Sequence, residues 1–191
     1  MRYRETLAPV CAFIEAIGVR CSPGSVPTDS FLPGVAIIEG GLVYDDKQLG
    51  SPGDLLHEAG HLALTPQRVR PLLDGDVGAV IDDILATGLP DNLAPLNEAE
   101  RSMIERSEPL AIAWSYAAAC AAGVDPDCVF WEGGYGTKDG GSPMILRMQI
   151  EQGMFPGVLG LAQLGFCGPP LLFATPGQAA PFPAMRGWMA G

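Results

Sequence analysis

"LLHEAGHLAL", Leu55–Leu64, holds both histidines of a chain that has only two among its 191 residues. Read as a helix, a spacing of four sets His57 and His61 on one face, one turn apart, with Glu58 on the next residue round. Two neutral imidazoles on successive turns form half of a common zinc site. They need a third ligand from elsewhere and leave a fourth position for water, whose proton a neighbouring Glu can take. The alternative is a pair of core histidines with satisfied nitrogens. Two histidines placed at random in such a chain fall four apart only about once in a hundred, before the Glu is required, so the metal reading prevails. The flanks agree: Leu55, Leu56, Ala59, Gly60, Leu62 and Ala63 are uncharged, as a buried helix requires, and Gly60 or Ala59 lets another backbone approach closely. Zinc is the first choice of ion, although other divalent metals accept the same ligands.

The residues just upstream supply the start of this helix. In "SPGD", Ser51 is an N-cap, Pro52 occupies the first helical position and Asp54 follows the cap by three, while Pro66 or Pro71 marks the end. Further upstream, "GVAIIEGGLVYDD" reads as two short β-prone runs joined across Gly40 and Gly41, a hairpin. Residues 5–18 carry Leu7, Val10, Cys11, Ile14 and Ile17 at helical period and stop at Gly18. Residues 21–34, rich in Pro, Ser and Gly, read as loop. Downstream, 76–87 is a short helix, "GLPDNLAPLNEAE" leads into an acidic helix, and Ser107-Glu108-Pro109 opens a new one, since Pro is tolerated in a first turn. That helix continues through the Ala-rich "LAIAWSYAAACAAG" to Gly123. After Asp125 the pattern is irregular, with the glycine-rich "WEGGYGTKDGG", two further helical segments at 143–152 and 157–165, and a tail from Pro169 that packs as an extended arm or stays loose.

Composition limits what such a chain does. It is 48% hydrophobic and long enough for one well-buried domain over 1–191, with a core at 5–122 and a C-terminal extension at 123–191. A formal charge of −11, with the Lys and Arg scattered, argues against nucleic acid and anionic membrane surfaces as partners. The N-terminal apolar stretch is interrupted by Glu15 and lacks a small-residue cleavage site, and no uncharged apolar run reaches membrane-spanning length. The five cysteines, Cys11, Cys21, Cys120, Cys128 and Cys167, show no C-x-x-C pair. The expectation is a cytoplasmic protein with reduced thiols that mostly pack.

With no histidine left, the third ligand is a carboxylate, and several are open. Glu108 begins the long apolar helix, where it also suits the helix N-terminus. Glu98 and Glu105 lie on a more polar stretch, and the adjacent Asp82 and Asp83 look like an exposed turn. Asp139, in "GTKD", resembles the aspartate motif of deuterolysin-like metallopeptidases, but the downstream Tyr-Gly pair of that motif is missing.

The order of "AIGVRC", the hairpin "GVAIIEGGLVYDD", "LLHEAGHLAL" and then Glu108, Ala111 and Trp114 on an Ala-rich helix resembles the ImmA/IrrE-type metallopeptidase domain over about residues 5–122. The resemblance implies an α+β fold: a small, mainly helical zincin-like core with a short β-hairpin or sheet before the HExxH helix. It also implies a gluzincin ligand set of His57, His61 and Glu108. The chain departs from that pattern at Ile112, where the family often has Asn, and in the long linker between His61 and Glu108.

The chemistry to expect is metal-assisted hydrolysis of a peptide or protein substrate, with Zn2+ as cofactor and Glu58 as general base. Tyr135 or Tyr116 is the candidate donor to the transition state, each with packing as its ordinary role. The glycine-rich loop lacks a Walker lysine and is no phosphate site. Two other functions use the same ligands: a non-proteolytic metal-dependent hydrolase or binding protein, and an interaction domain stapled by zinc. A structural zinc usually has four protein ligands, so three ligands beside a Glu favour catalysis.

Overall fold

In a computed structural model, described for residues 1–28, 30–134, 141–175, 177 and 179–191, the chain starts with a single 3-10 turn and then α1 (Leu7–Ala16). The strands β1 (Cys21–Pro23), β2 (Val35–Ile38) and β3 (Gly41–Tyr44) follow, then α2 (Pro52–Leu64), α3 (Val77–Thr87), α4 (Glu98–Glu105), α5 (Ser107–Ala121), α6 (Pro143–Glu151) and α7 (Pro156–Gln163). The fold is α+β, mainly helical, with a small mixed sheet of order β1-β3-β2. β2 and β3 pair antiparallel, Val35 opposite Tyr44 and Ile37 opposite Leu42, and β1 adds in parallel on the far side of β3. Among the described residues no helix is long and apolar enough to cross a membrane.

The hairpin turns one residue earlier than expected. Glu39 and Gly40 take the two positive φ values, 48° and 69°, that a tight two-residue turn needs, and Gly41 already belongs to β3. Gly41 lies under the side chain of Arg20. A Cβ there would lie 2.5 Å from the Nε of Arg20, whose guanidinium crosses the turn to donate to the carbonyls of Ile38 and Glu39. The stretch 21–34 is likewise not all loop. β1 holds only three residues and ends at Pro23, too short to give an alternating pattern, and it exists because β3 offers a free edge.

α2 is the centre of the molecule, with all 13 of its residues buried. Its start is a capping box. Ser51 Oγ accepts from Gly53 N at 3.3 Å and donates to the Cys128 carbonyl, while Asp54 Oδ2 accepts from Ser51 N at 3.1 Å. Its C-terminal carbonyls are also satisfied. Arg70 Nε donates to the carbonyls of Leu62 and Thr65 at 2.9 Å each, and Ala190 N donates to Ala63 O at 2.7 Å.

That last bond shows that the tail is not loose. The chain returns through bridges of Cys167 with Met185 and Gly168 with Pro181, and Trp188 packs edge-on against Phe13 and the fully buried Trp114. Trp114 Nε1 donates to the Trp188 carbonyl at 3.1 Å. Ile150, Val158 and Leu161, from α6 and α7, are buried in the same apolar cluster as α2 and α5.

The loop before α4 is tied down by Arg68, which binds both oxygens of Glu100 at 2.5 and 2.8 Å and the carbonyls of Ala94 and Pro95. The Arg68 guanidinium holds the Glu100 carboxyl below the usual value of 4.5. The unfolded chain therefore takes up this proton first, so the pair stabilises the fold above about pH 4.5 and loses its effect as pH falls through the folded value. Urea unfolding at stepped pH should show stability declining below that point, with a shallower decline in Arg68→Ala. Loss of the buried cap in Ser51→Ala should lower the unfolding free energy by about 1–3 kcal/mol in the same measurement at neutral pH.

Candidate metal centre

The site begins with how closely two helices can approach. α5 crosses α2 where Gly60 faces Ala111. A Cβ on Gly60 would lie 3.1 Å from Ala111 Cα, so only small residues at both positions allow this contact. Ala111 is one turn after Glu108, and α5 starts afresh at Ser107 after α4 ends, with Arg106 between them at φ −109°. This break in the helical path lets Glu108, in the first turn of α5, reach the histidine face of α2.

His57 and His61 are 2% and 6% exposed, and their Nε2 atoms face each other at 3.1 Å with the rings nearly perpendicular. Glu108 Oε2 lies 3.4 Å from His61 Nε2 and 3.7 Å from His57 Nε2. The three residues offer ligand atoms within 4.8 Å of one another, a group able to hold a metal ion. The distances can be tested against coordination geometry. Ligands about 2.0–2.2 Å from a tetrahedral ion sit roughly 3.3–3.5 Å apart, and the three observed separations bracket that value. Glu108 Oε1 is also buried without a hydrogen-bond partner among the described residues, which leaves that carboxylate free to bind an ion through either oxygen. Two imidazole nitrogens on buried rings and a carboxylate oxygen at the cleft edge thus converge as a donor set that suits a divalent cation.

The protein groups set the protonation tendencies. Burial, reinforced by the neighbouring His61, drives His57 well below its ordinary value. Burial acts downward on His61 as well, but the hydrogen bond it donates to Glu108 and the charges of Glu58 and Glu108 outweigh it, so His61 is raised. The difference follows the geometry, since Glu108 is nearer to His61. Glu58 is pushed up to about 7, first by burial and then by the Glu108, Asp54 and Asp76 carboxylates, against a downward pull from His61.

A cleft of about 620 Å³ opens on this group. Glu58, His61 and Glu108 line it together with β2, the first turns of α3, Phe31 and the end of α4. Asp76, the N-cap of α3, and the edge strand β2 belong to its lining, and sequence spacing pointed to neither. Their proximity to the histidines comes from the sheet packing on α2, which no local pattern encodes.

The other carboxylate candidates fall outside the triad. Glu105 is exposed and paired with Arg101 at 3.0 Å, although it reaches the cleft wall, and Glu98 is exposed in the first turn of α4. Asp82 and Asp83 are exposed, as expected, but on α3 rather than in a turn. Tyr116 is a packing residue, stacked on Phe182 and donating to Glu151 Oε1 at 3.2 Å. Tyr135 and Asp139 lie outside the described residues.

Comparison with protein-family models, with curated proteins and with solved structures finds no match to this chain.

With Zn2+ as the probe ion, Glu108→Ala should weaken metal binding by at least about 100-fold in a competition titration with a chromophoric chelator, beyond the range of an outer-shell change, while Glu98→Ala and Glu105→Ala leave it unaltered. Normal zinc affinity in Glu108→Ala would remove it from the ligand set.

Proposed function

We propose that the chain is a zinc-dependent metallopeptidase of the zincin-like kind, similar to the ImmA/IrrE-type domain. One observation carries the reading: two histidine nitrogens and a glutamate oxygen converge in a cleft that a second, buried glutamate also lines. A zinc that only stapled the fold would be enclosed by four protein ligands, and the opening of this group onto a cleft favours a catalytic role.

His57, His61 and Glu108 would hold the ion. When bound, zinc supplies positive charge that makes a water acidic near neutral pH and polarises a carbonyl. The remaining steps belong to the chain. Glu58 accepts the proton of the attacking water and returns it to the departing amine, and its raised proton affinity suits both transfers. The cleft, walled on one side by β2, would take the peptide. Burial of His57 keeps its imidazole neutral, the form in which the nitrogen lone pair is free to bind a cation.

Glu58→Gln preserves shape but cannot take the proton. Digestion of a broad peptide library should fall by roughly 10²–10⁴-fold while zinc content by elemental analysis is unchanged. Wild-type cleavage should stop with a chelator and return with added zinc. Cleavage that persists in Glu58→Gln, or a zinc-loaded wild type that cuts no peptide in the library, would overturn the reading.

A further inference from the structure

On the side of α1 facing the sheet, Cys11 and Cys21 lie with their sulfurs 4.0 Å apart, the Cys21 thiol directed at Cys11 Sγ. Their sequence spacing suggested nothing of the kind. Cys11 sits in the middle of α1 and is half-buried. Cys21 opens β1 and is 7% exposed. Tyr44, on β3 and paired with Pro23 of β1, completes the surroundings, and its phenol favours the Cys11 thiolate. We propose that Cys11 and Cys21 form an oxidisable dithiol site whose oxidant is a small hydroperoxide, with Cys11 as the attacking sulfur and Cys21 as the resolving one.

Access and bonding set the division of roles. Cys11 is the more exposed of the two residues, and it receives a hydrogen bond from Cys21. That bond, with the Tyr44 phenol, favours the Cys11 thiolate against burial and the charge of Glu15, which lies one turn further along α1. The bond from Cys21 is the largest cause of a Cys11 value lowered to about 7, while Cys21 is held protonated. The partial burial of Cys11 between helix and strand selects a small oxidant over a bulky disulfide.

The chemistry balances in two steps. The Cys11 thiolate attacks one oxygen of the hydroperoxide, the O–O bond breaks, and the other oxygen leaves as water or an alcohol after taking a proton, which makes Cys11 a sulfenic acid. Cys21 sulfur then attacks Cys11 sulfur, the S–O bond breaks, and the thiol proton leaves with the hydroxide as water. The peroxide is reduced by two electrons and the pair is oxidised by two. Closing 4.0 Å to a disulfide length of about 2.05 Å needs a modest shift of the chain between the two residues, which turns at Gly18 with open space around it.

The test uses the full-length, zinc-loaded protein, reduced and then exposed to a few equivalents of hydrogen peroxide. Trypsin cuts after Arg20, between the two cysteines, so the disulfide appears by mass spectrometry as a cross-link between peptides 5–20 and 21–47 that dithiothreitol reverses. Cys120, exposed, and Cys128 and Cys167, buried, serve as internal comparators and should remain thiols under the same dose. Cys21→Ser should stop at a Cys11 sulfenic acid that a dimedone-type probe traps, Cys11→Ser should leave Cys21 unreacted, and Tyr44→Phe should slow the first step with an upward shift of its pH profile. Oxidised glutathione at equal concentration should leave the pair reduced. Oxidation of Cys120 before Cys11, a cross-link to any other cysteine, or a Cys11–glutathione mixed disulfide as the main product would overturn the proposal.

Discussion

A helix with every residue out of water has to satisfy its polar groups inside the protein, and for α2 that requirement organises the rest of the fold. Its first amides are met by Ser51 and by a capping box that ties the helix to the Cys128 carbonyl, and its last carbonyls by Arg70 and by the backbone of Ala190. The partners come from positions 51, 70, 128 and 190, so distant parts of the chain converge on this helix. α1, the sheet and α5 cover its sides. Apolar residues fill most of that interface. Asp54, in the cap, and His57, Glu58 and His61 are the exceptions, and Glu58 and His61 line the cleft with Glu108.

Those exceptions conflict with burial unless something offsets it. A lone buried carboxyl or imidazole gives up its charge, as the upward shift of Glu58 and the downward shift of His57 show. Glu108 alone does not resolve the conflict, because its Oε1 remains buried without a partner among the described residues. A divalent cation bound by the three residues would convert this costly cluster into a favourable one, and folding and metal affinity would then be coupled. It would also draw Glu58 back toward ionisation, leaving a carboxylate able to accept a proton beside the reacting water.

What the sequence revealed and what it concealed divide along physical lines. Signals that act within a turn or two were legible: the cap at Ser51, the break before Ser107, the one-face spacing of the histidines, and the small pair of Gly60 and Ala111 that lets α5 come close. Glu108 as their neighbour was reached by resemblance and by its position opening an apolar helix, and the structure brings it there. Features made by pairing across distance stayed hidden. β1 is three residues long and depends on β3. The hairpin turn falls on Glu39 and Gly40, one residue before the paired glycines, because the positive φ values sit there and Gly41 pairs with Ile38 in the sheet. The approach of Cys11 to Cys21 depends on how α1 packs against the sheet, and no residue spacing reports that.

The C-terminal extension, which resembled nothing in the sequence, also bears on the centre. α7 lies against the start of α5 so closely that a Cβ on Gly157 would overlap the Pro109 carbonyl, and one on Gly160 would lie 2.6 Å from Leu110 Cδ2. Arg106, just before α5, donates to Gln163 Oε1 at 3.3 Å. Residues on both sides of Glu108 are therefore held from behind by α7, while Ala111 is held from the front by Gly60 of α2. A ligand in the first turn of a helix is otherwise free to fray, because that turn lacks half of its backbone hydrogen bonds. Clamping both faces of the turn removes this freedom and keeps the carboxylate within reach of the histidines, so the extension acts as part of the scaffold that positions the centre.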